Sequence, residues 1–577
     1  MTAGCREHNG AVEMGRRAAA ILFALVVAAA ACTPAPTGTA SGGPSAAPVR
    51  GGTLVFAIWQ EPTTLAPIYA NQTVASVVNN VTVEGLLKTD TAGTFYPVLA
   101  KTVPTLDNGG VKISADGKKM DVTYDLLSGV KWSDGSPFTS ADVKFTWETY
   151  LKDPKVVTTE GYSSIESVDT PTDTQVVLHY KTIYGAYLTR FGGIIPKTLL
   201  QNVPDISKSE YNLKPMGTGP YKVTEFVSAD HITVERNPNY RKPDKPLLDK
   251  IVFRSVPSRE AAVAQLKAGE VDGMWNLLEA QIPDLEKDSN IRIVTTPSPS
   301  VERIELNLAK PADPIADPKV PHPVLGDINV RRALLLATPK QQIIDKLLFG
   351  KAKPGTSAVS QGWASPKGLT QESYEPAKAK QLLDQAGWVP GSDGIRSKGG
   401  VKASLTIVTT TGDKIREGVE QILVDEWKAI GIELQIKNQP SAVLLSGSYS
   451  AGDPRKKGNI DMWMYASSPA IDPHQVINQR YTSGNIPTAA NNGSGQNYTR
   501  FSNPEVDRLV AEAGATVDLT KRAKNYADAF KILNDNVPII WMYDRQGLDA
   551  FRSNVSGYKG NTWDDITWNA EDWSIRK

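Results

Sequence analysis

Cysteine is nearly absent from this 577-residue sequence: there are two, Cys5 and Cys32, and the body from about Gly51 onward has none. Disulfide stapling and thiolate-held zinc are therefore excluded there, and stability must come from core size, which this length can supply. An excess of one charge sign is missing too, since 63 lysines and arginines face 62 aspartates and glutamates. No strong field exists to gather a polyanion, so a nucleic-acid partner is not expected. Histidine is scarce, and the five, at 8, 179, 231, 322 and 474, do not cluster, so no metal site is expected. No apolar run is long enough to span a bilayer, which takes roughly 20 helical residues: the leader's run covers only Ala18 to Ala31.

Reaction signatures are also lacking. There is no His-Glu-x-x-His and no Gly-x-Ser-x-Gly, and Gly117-Lys118 lacks the glycine five places earlier that a phosphate loop needs. Adjacent acids such as Asp564-Asp565 read as solvated surface, because glycosidase chemistry requires a second acid at a defined distance. No catalytic residue and no cofactor is expected, although a secreted hydrolase stays open as an alternative of another class.

The first 32 residues read as an address: Arg16 and Arg17 precede the apolar run, and Met14 just before them is an alternative start. The run ends in "AAAAC", and Cys32 is followed by "TPAPTGTASGGPSAAPVRGG", a composition that buries no core and acts as a tether over 33–50. This arrangement resembles a bacterial lipoprotein signal with Cys32 as the lipidated first residue, except that Ala29 stands where a large aliphatic residue is usual. An ordinary secretory signal cut among the alanines is the alternative.

The body has α/β character. Thr53–Ile58 reads as a buried strand, Val74–Leu87 has apolar residues at helical spacing, and "MDVTYD" alternates to put Met120, Val122 and Tyr124 on one face. "DKIVFRSVPSREAAVAQLKAGEVDGMW" reads as strand, helix, strand, and a second such unit runs from "ASLTIVTTTG" through "REGVEQILVDEWKAIGI" to "ELQIKNQ". Between them "INVRRALLLATPKQQIIDKLLFG" reads as one helix, and "EPAKAKQLLDQAGW" as another, with Pro376 in its first turn and Gly387 past its end. Two α/β lobes are expected, meeting near residue 305.

The stretch "GVKWSDGSPFTSADVKFTWE", Gly129–Glu148, explains itself as structure: Asp134-Gly135 with Pro137 is turn chemistry, Thr139–Asp142 is a helix start, and Trp132 packs beneath. With "EGLL", "MGTGPYKV", "NPNY", "LDKIVFR", "LKAGEVD", "NVRRAL", "AKQLLDQAGW", "NPEVDRLV" and "WNAEDW" in this order, the body from Gly51 onward resembles the family-5 extracellular solute-binding proteins, the peptide-, dipeptide- and nickel-binding components of ABC importers.

That resemblance implies a two-lobed periplasmic-binding-protein-like fold (type II, cluster C-like) with an extra N-terminal subdomain. Lobe I would comprise 51–83, 216–304 and 542–577, the extra subdomain 84–215 and lobe II 305–541. It implies capture of peptides by lobe closure, delivery to ABC permease and ATPase subunits, a monomer, and a site on the outer face of the cytoplasmic membrane through the lipid anchor. Peptide binders of the family hold the ligand's ammonium with an aspartate three residues before the acid of a D-x-x-D/E-P element. Here "YASSPAIDP" keeps Asp472-Pro473 but has Pro469 at that place, so an oligosaccharide or another non-peptide solute stays open as a ligand. The matching cleft edges would bring Asn71, Gln72, Thr73, Trp463, Tyr465, Ala466, Ser467, Asp472, Trp541 and Tyr543 to the ligand. For Trp59, Trp463 and Trp541, core packing is the competing reading.

Overall fold

The computed structural model describes residues 49–576 apart from positions 448 and 451. The expectations for the signal segment 1–32, the lipidated Cys32 and nearly all of the tether thus fall outside the described residues.

The β-branched run Thr53–Ile58 forms a buried strand at the centre of one half of the molecule. It pairs in parallel with Lys250–Ser255 on one side and Gly273–Met274 on the other. The helix Arg259–Ala268 makes the crossover. Ser258 caps its start by accepting from the Ala261 amide at 3.2 Å, and Gly269 ends it at φ +78°. The hairpin of Tyr221–Val227 and His231–Arg236 extends the sheet outward.

The other half repeats the plan. Ser404–Val408 pairs in parallel with Glu433–Ile436 and with Met462–Ser467, and the helix Lys414–Ala429 covers them. The single helix expected from Ile328 is two, Ile328–Leu336 and Lys340–Leu347, because Pro339 has no amide to continue the ladder. Pro376 does open the helix Pro376–Gln385, and Gly387 follows it at φ +81°.

A third region has a core of its own around Met120, Val122, Tyr124, Trp132 and Leu178. Its antiparallel sheet runs Val111–Ile113, Met120–Asp125, Gln175–Tyr180, Ile165–Thr172. In the 129–148 stretch, Asp134 Oδ1 accepts from the Ser136 amide at 2.8 Å and hydroxyl at 2.6 Å, with Gly135 at φ +93°. Asp142 accepts from the Thr139 amide at 2.8 Å at the start of helix Ser140–Lys152, and ties in the Lys197 amide at 2.8 Å. Trp132 is buried beneath. The helical spacing over Val74–Leu87 carries only the helix Thr73–Asn79. Beyond it the Val81 and Thr82 carbonyls accept from Tyr221 and Gly219 at 2.9 and 3.0 Å, so the chain turns extended and enters the strand Leu87–Thr89.

Two long antiparallel strands, Ile291–Leu306 and Ile539–Arg552, run through both halves. Residues 291–297 pair with 546–552 in the first half, and 301–305 with 539–544 in the second. Between these blocks Ser298, Pro299 and Ser300 are unpaired, and Arg545 lies opposite.

Candidate functional site

A cavity of about 690 Å³ opens at this crossing. One wall comes from the helix bearing Thr73 and Ser76, from Asn80 just past its end, from Trp275–Glu279 and from Asn561–Ile566; the crossing strands supply Thr296–Pro299 and Arg545–Asp549, and Ser468 comes from the second half. Its size and its convergent polar groups suit a small-molecule or short-chain ligand.

The floor is anchored by Glu302. This fully buried carboxylate accepts from Arg416 Nε at 2.9 Å and from Arg545 Nη2 at 2.6 Å. Burial pushes its pKa up, but the two guanidiniums outweigh burial and hold it below the usual carboxylate range. Arg545 is thereby fixed opposite the unpaired residues 298–300 as part of the cavity lining.

The first-half wall is acidic and aromatic. Asp549 is 7% exposed and accepts from the Asn276 amide at 3.0 Å; burial pushes its pKa up to about 7. Asp565 is raised well above the carboxylate range by burial and by the neighbouring Asp564 and Asp549. Asp564 accepts from Asn80 Nδ2 at 2.5 Å and has Lys88 Nζ at 3.9 Å. Asp564-Asp565, expected as solvated surface, is instead half-buried in this wall, because the chain end folds back over the helix Thr73–Asn79. Trp275 stacks on Trp59 with centroids 5.8 Å apart at 12°, and the Arg259 guanidinium lies 3.9 Å from the Trp59 ring centroid.

Of the ten residues expected at the ligand, Thr73 lines this cavity. Asn71 is exposed beside it, and Gln72 turns away to accept from the Thr63 amide at 2.7 Å. Trp463 and Tyr465 share a face of Met462–Ser467, but that face looks into the second half. There Trp463 Nε1 donates to Glu305 at 2.7 Å and Tyr465 Oη to the same carboxylate at 3.0 Å. Both aromatic rings are buried. Ala466 and Ser467 pair with Glu302 and Val301 in the ladder, and the next residue, Ser468, reaches the cavity. Trp541 and Tyr543 are fully buried. In the ladder Trp541 and Tyr543 face the successive residues Arg303 and Glu302, so Met542 is the extra residue of a bulge. The bulge sends the two rings into different cores.

Asp472 is not a free carboxylate. It takes Arg522 Nη1 and Nη2 at 2.6 and 2.7 Å, with both side chains buried. Arg522 Nη1 also donates at 3.0 Å to the Gly185 carbonyl in the third region. Gly185 has no room for a side chain, since an added Cβ would sit 2.9 Å from that guanidinium. The Asp-Pro element therefore serves a contact between the second half and the third region.

Several lining residues escaped sequence reasoning: Trp275, Asn276, Glu279, Asn561, Trp563 and Asp549. The legible signal among them was Asp549, a lone acid between Leu548 and the apolar Ala550-Phe551 of a buried strand.

A model of the bacterial extracellular solute-binding proteins, family 5 Middle, matches residues 94–488. The oligopeptide-binding protein AppA of Bacillus subtilis (strain 168) is 28% identical over 571 residues, covering 96% of this chain and 98% of that protein. Its structure in complex with a nonapeptide matches with a TM-score of 0.66, covering 92% of this chain and 100% of that one at 28% identity. NikZ from Campylobacter jejuni in complex with Ni(L-His) matches with a TM-score of 0.68 at 26% identity, covering 90% of this chain and 99% of that one.

Proposed function

We propose that this chain, which belongs to the bacterial extracellular solute-binding proteins of family 5, captures peptides in the cleft at its hinge and delivers them to the permease and ATPase subunits of an ABC importer. One observation carries this reading: two strands pass between the lobes, interrupted at 298–300, with a 690 Å³ cavity lying at the interruption. Closure about such a hinge needs only a ligand that touches both walls, because differential affinity for the closed form is what shifts the equilibrium. Similarity to AppA, named as oligopeptide-binding, supports peptide as the ligand class. We take the lobes to meet at 298–300 and Arg545, the extra subdomain as 84–215, and the monomer as the working form.

Thr73, with Ser468, Trp275 and Gln546 beside it, is our choice for ligand contact. Cys32 is our choice for the lipid anchor that keeps the protein at the outer face of the cytoplasmic membrane. Among the described residues no helix is long and apolar enough to cross a membrane. A second reading, an oligosaccharide or another non-peptide solute, is favoured by Pro469, which supplies no carboxylate for a peptide's ammonium.

Thermal unfolding with short peptides, oligosaccharides and metal chelates separates the readings. A ligand at about a hundredfold excess over its Kd stabilises by about 2.7 kcal/mol. Stabilisation by sugars and not by peptides overturns the peptide reading, and consumption of any stabilising compound overturns the transport reading. Palmitate labelling that is lost in Cys32→Ala tests the anchor; label retained in that variant overturns it.

A further inference from the structure

The second half and the third region meet at a contact that the solute cavity does not share. From the second half, Arg522 Nη1 donates to the Gly185 carbonyl at 3.0 Å while its two terminal nitrogens hold Asp472. The same guanidinium lies 5.0 Å from the Trp363 ring centroid, and its Nη2 donates to Tyr526 Oη at 3.2 Å. Asp472, Trp363 and Tyr526 all belong to the second half, so the guanidinium is held from behind and presented to Gly185. Two residues before the helix Leu519–Asn536, which carries Arg522, Val517 packs against the core of the third region. None of Gly185, Asp472, Val517 and Arg522 lines the cavity.

The two bodies also touch at Gly93, in the turn between Leu87–Thr89 and Phe95–Pro97. A Cβ added there would sit 2.9 Å from Ile471 Cδ1 and 3.3 Å from the Gly362 Cα, both in the second half. Ile471 precedes Asp472, and its carbonyl accepts from Trp363 Nε1 at 2.9 Å, so the two contacts share one support. A guanidinium-to-carbonyl bond is strong for a hydrogen bond, yet both groups recover water when they part. Its loss therefore shifts an equilibrium by about tenfold to a hundredfold and does not weld the two bodies together.

We propose that Arg522, seated on Asp472 and bonded to the Gly185 carbonyl, is a closure latch by which the third region holds the second half shut over the cleft, whatever the solute. The proposal rests on reading the cleft as one that closes between lobes. Arg522 and Gly185 are positioning residues in this scheme and touch no solute. A latch raises the closed fraction of the free protein, and apparent affinity scales with that fraction. It therefore strengthens the binding of every solute by one common factor and selects none, which leaves selection to the cavity lining.

Gly185→Ala tests the latch while keeping the Asp472–Arg522 pair. The added Cβ would stand 2.9 Å from Arg522 Nη1 and 3.1 Å from the Thr516 carbonyl oxygen, and Arg522, clamped on Asp472, cannot yield freely. Val517→Ala trims the same contact from the other side. Gly192→Ala, in the third region with no atom within 4 Å of the added Cβ, is the control. Spin labels are placed at Leu106→Cys in the third region and Val389→Cys in the second half, both exposed, in the mature chain carrying Cys32→Ser, which has no other cysteine. Double electron–electron resonance on the ligand-free protein then reads open and closed populations as separate distances. The open-to-closed ratio should rise about tenfold or more in Gly185→Ala, rise also in Val517→Ala, and stay at the wild-type value in Gly192→Ala. One unchanged distance distribution in wild type, Gly185→Ala and Val517→Ala overturns the latch, as does a wild type that is already open. An equal rise in Gly185→Ala and Gly192→Ala overturns it too, by tracing the opening to damage in the third region. None of these results bears on the transport reading, which is decided by the thermal screen with peptides, oligosaccharides and metal chelates.

Discussion

Asp472 lies in the second half of the molecule and Asp549 in the first, and their surroundings differ in kind. Asp472 is clasped by both terminal nitrogens of Arg522, which also holds the Gly185 carbonyl. Asp549 has one backbone amide and no cation within 4 Å. A carboxylate already satisfied by its own protein stabilises an arrangement of the chain; one left short of charge is available to a ligand. The acid that the sequence pattern singled out is of the first kind, and the one it passed over is of the second.

The largest effect comes from breaking the satisfied pair. Arg522→Ala leaves Asp472 buried and uncompensated, and Asp472→Ala does the same to Arg522, which is 1% exposed. Each should cost about 3–5 kcal/mol in chemical denaturation, whereas replacing both by apolar residues of similar volume should recover most of the loss. Equal losses in single and double variants would remove the pair from the comparison.

Next is the response of the unsatisfied acid to pH. The folded-state pKa of Asp549 is pushed from 3.8 up to about 7, so its neutral form's contribution is fully present below about pH 4 and is lost as pH rises toward 7. Asp549→Asn keeps that neutral state at every pH. Its stability relative to wild type should therefore grow between about pH 4 and pH 7, by on the order of 4 kcal/mol in denaturant titrations. A difference that stays flat would mean the carboxylate is ionised and balanced in the apo protein.

Trp463→Phe tests whether the second lobe's aromatic strand is support or binding surface. Losing the indole donor to Glu305, 2.7 Å away, should cost about 1–3 kcal/mol and leave solute affinity unchanged. A change in affinity without a change in stability would return Trp463 to the cleft. Smallest is Asp134→Ala, which removes the turn bonds to Ser136 and should cost about 1 kcal/mol or less, with binding unaffected in calorimetry.

Much of the fold was legible because it follows from local pattern. The two strand–helix–strand units, the Asp134-Gly135 turn with its helix start, and the Pro376 and Gly387 helix ends depend on periodicity and backbone preference within about twenty residues. The helix read through Val74–Leu87 failed because its second part pairs with a chain segment 140 residues later, around Gly219. The site was less legible for the same reason. Trp463, Trp541 and Tyr543 match cleft edges in order along the chain, but one bulged residue and the choice of sheet face turned all three inward.

By itself the sequence determined the class of molecule: an α/β body without cysteine from Gly51 onward, and ordered motifs belonging to one family of solute binders. These are properties of composition, short-range periodicity and motif order. Which acids line the cavity was decided only by the tertiary structure, since Asp549, Asp564 and Trp275 meet through strands and a chain end that are hundreds of residues apart. Burial and mutual repulsion, which set the character of those carboxyls, exist only once the segments are brought together.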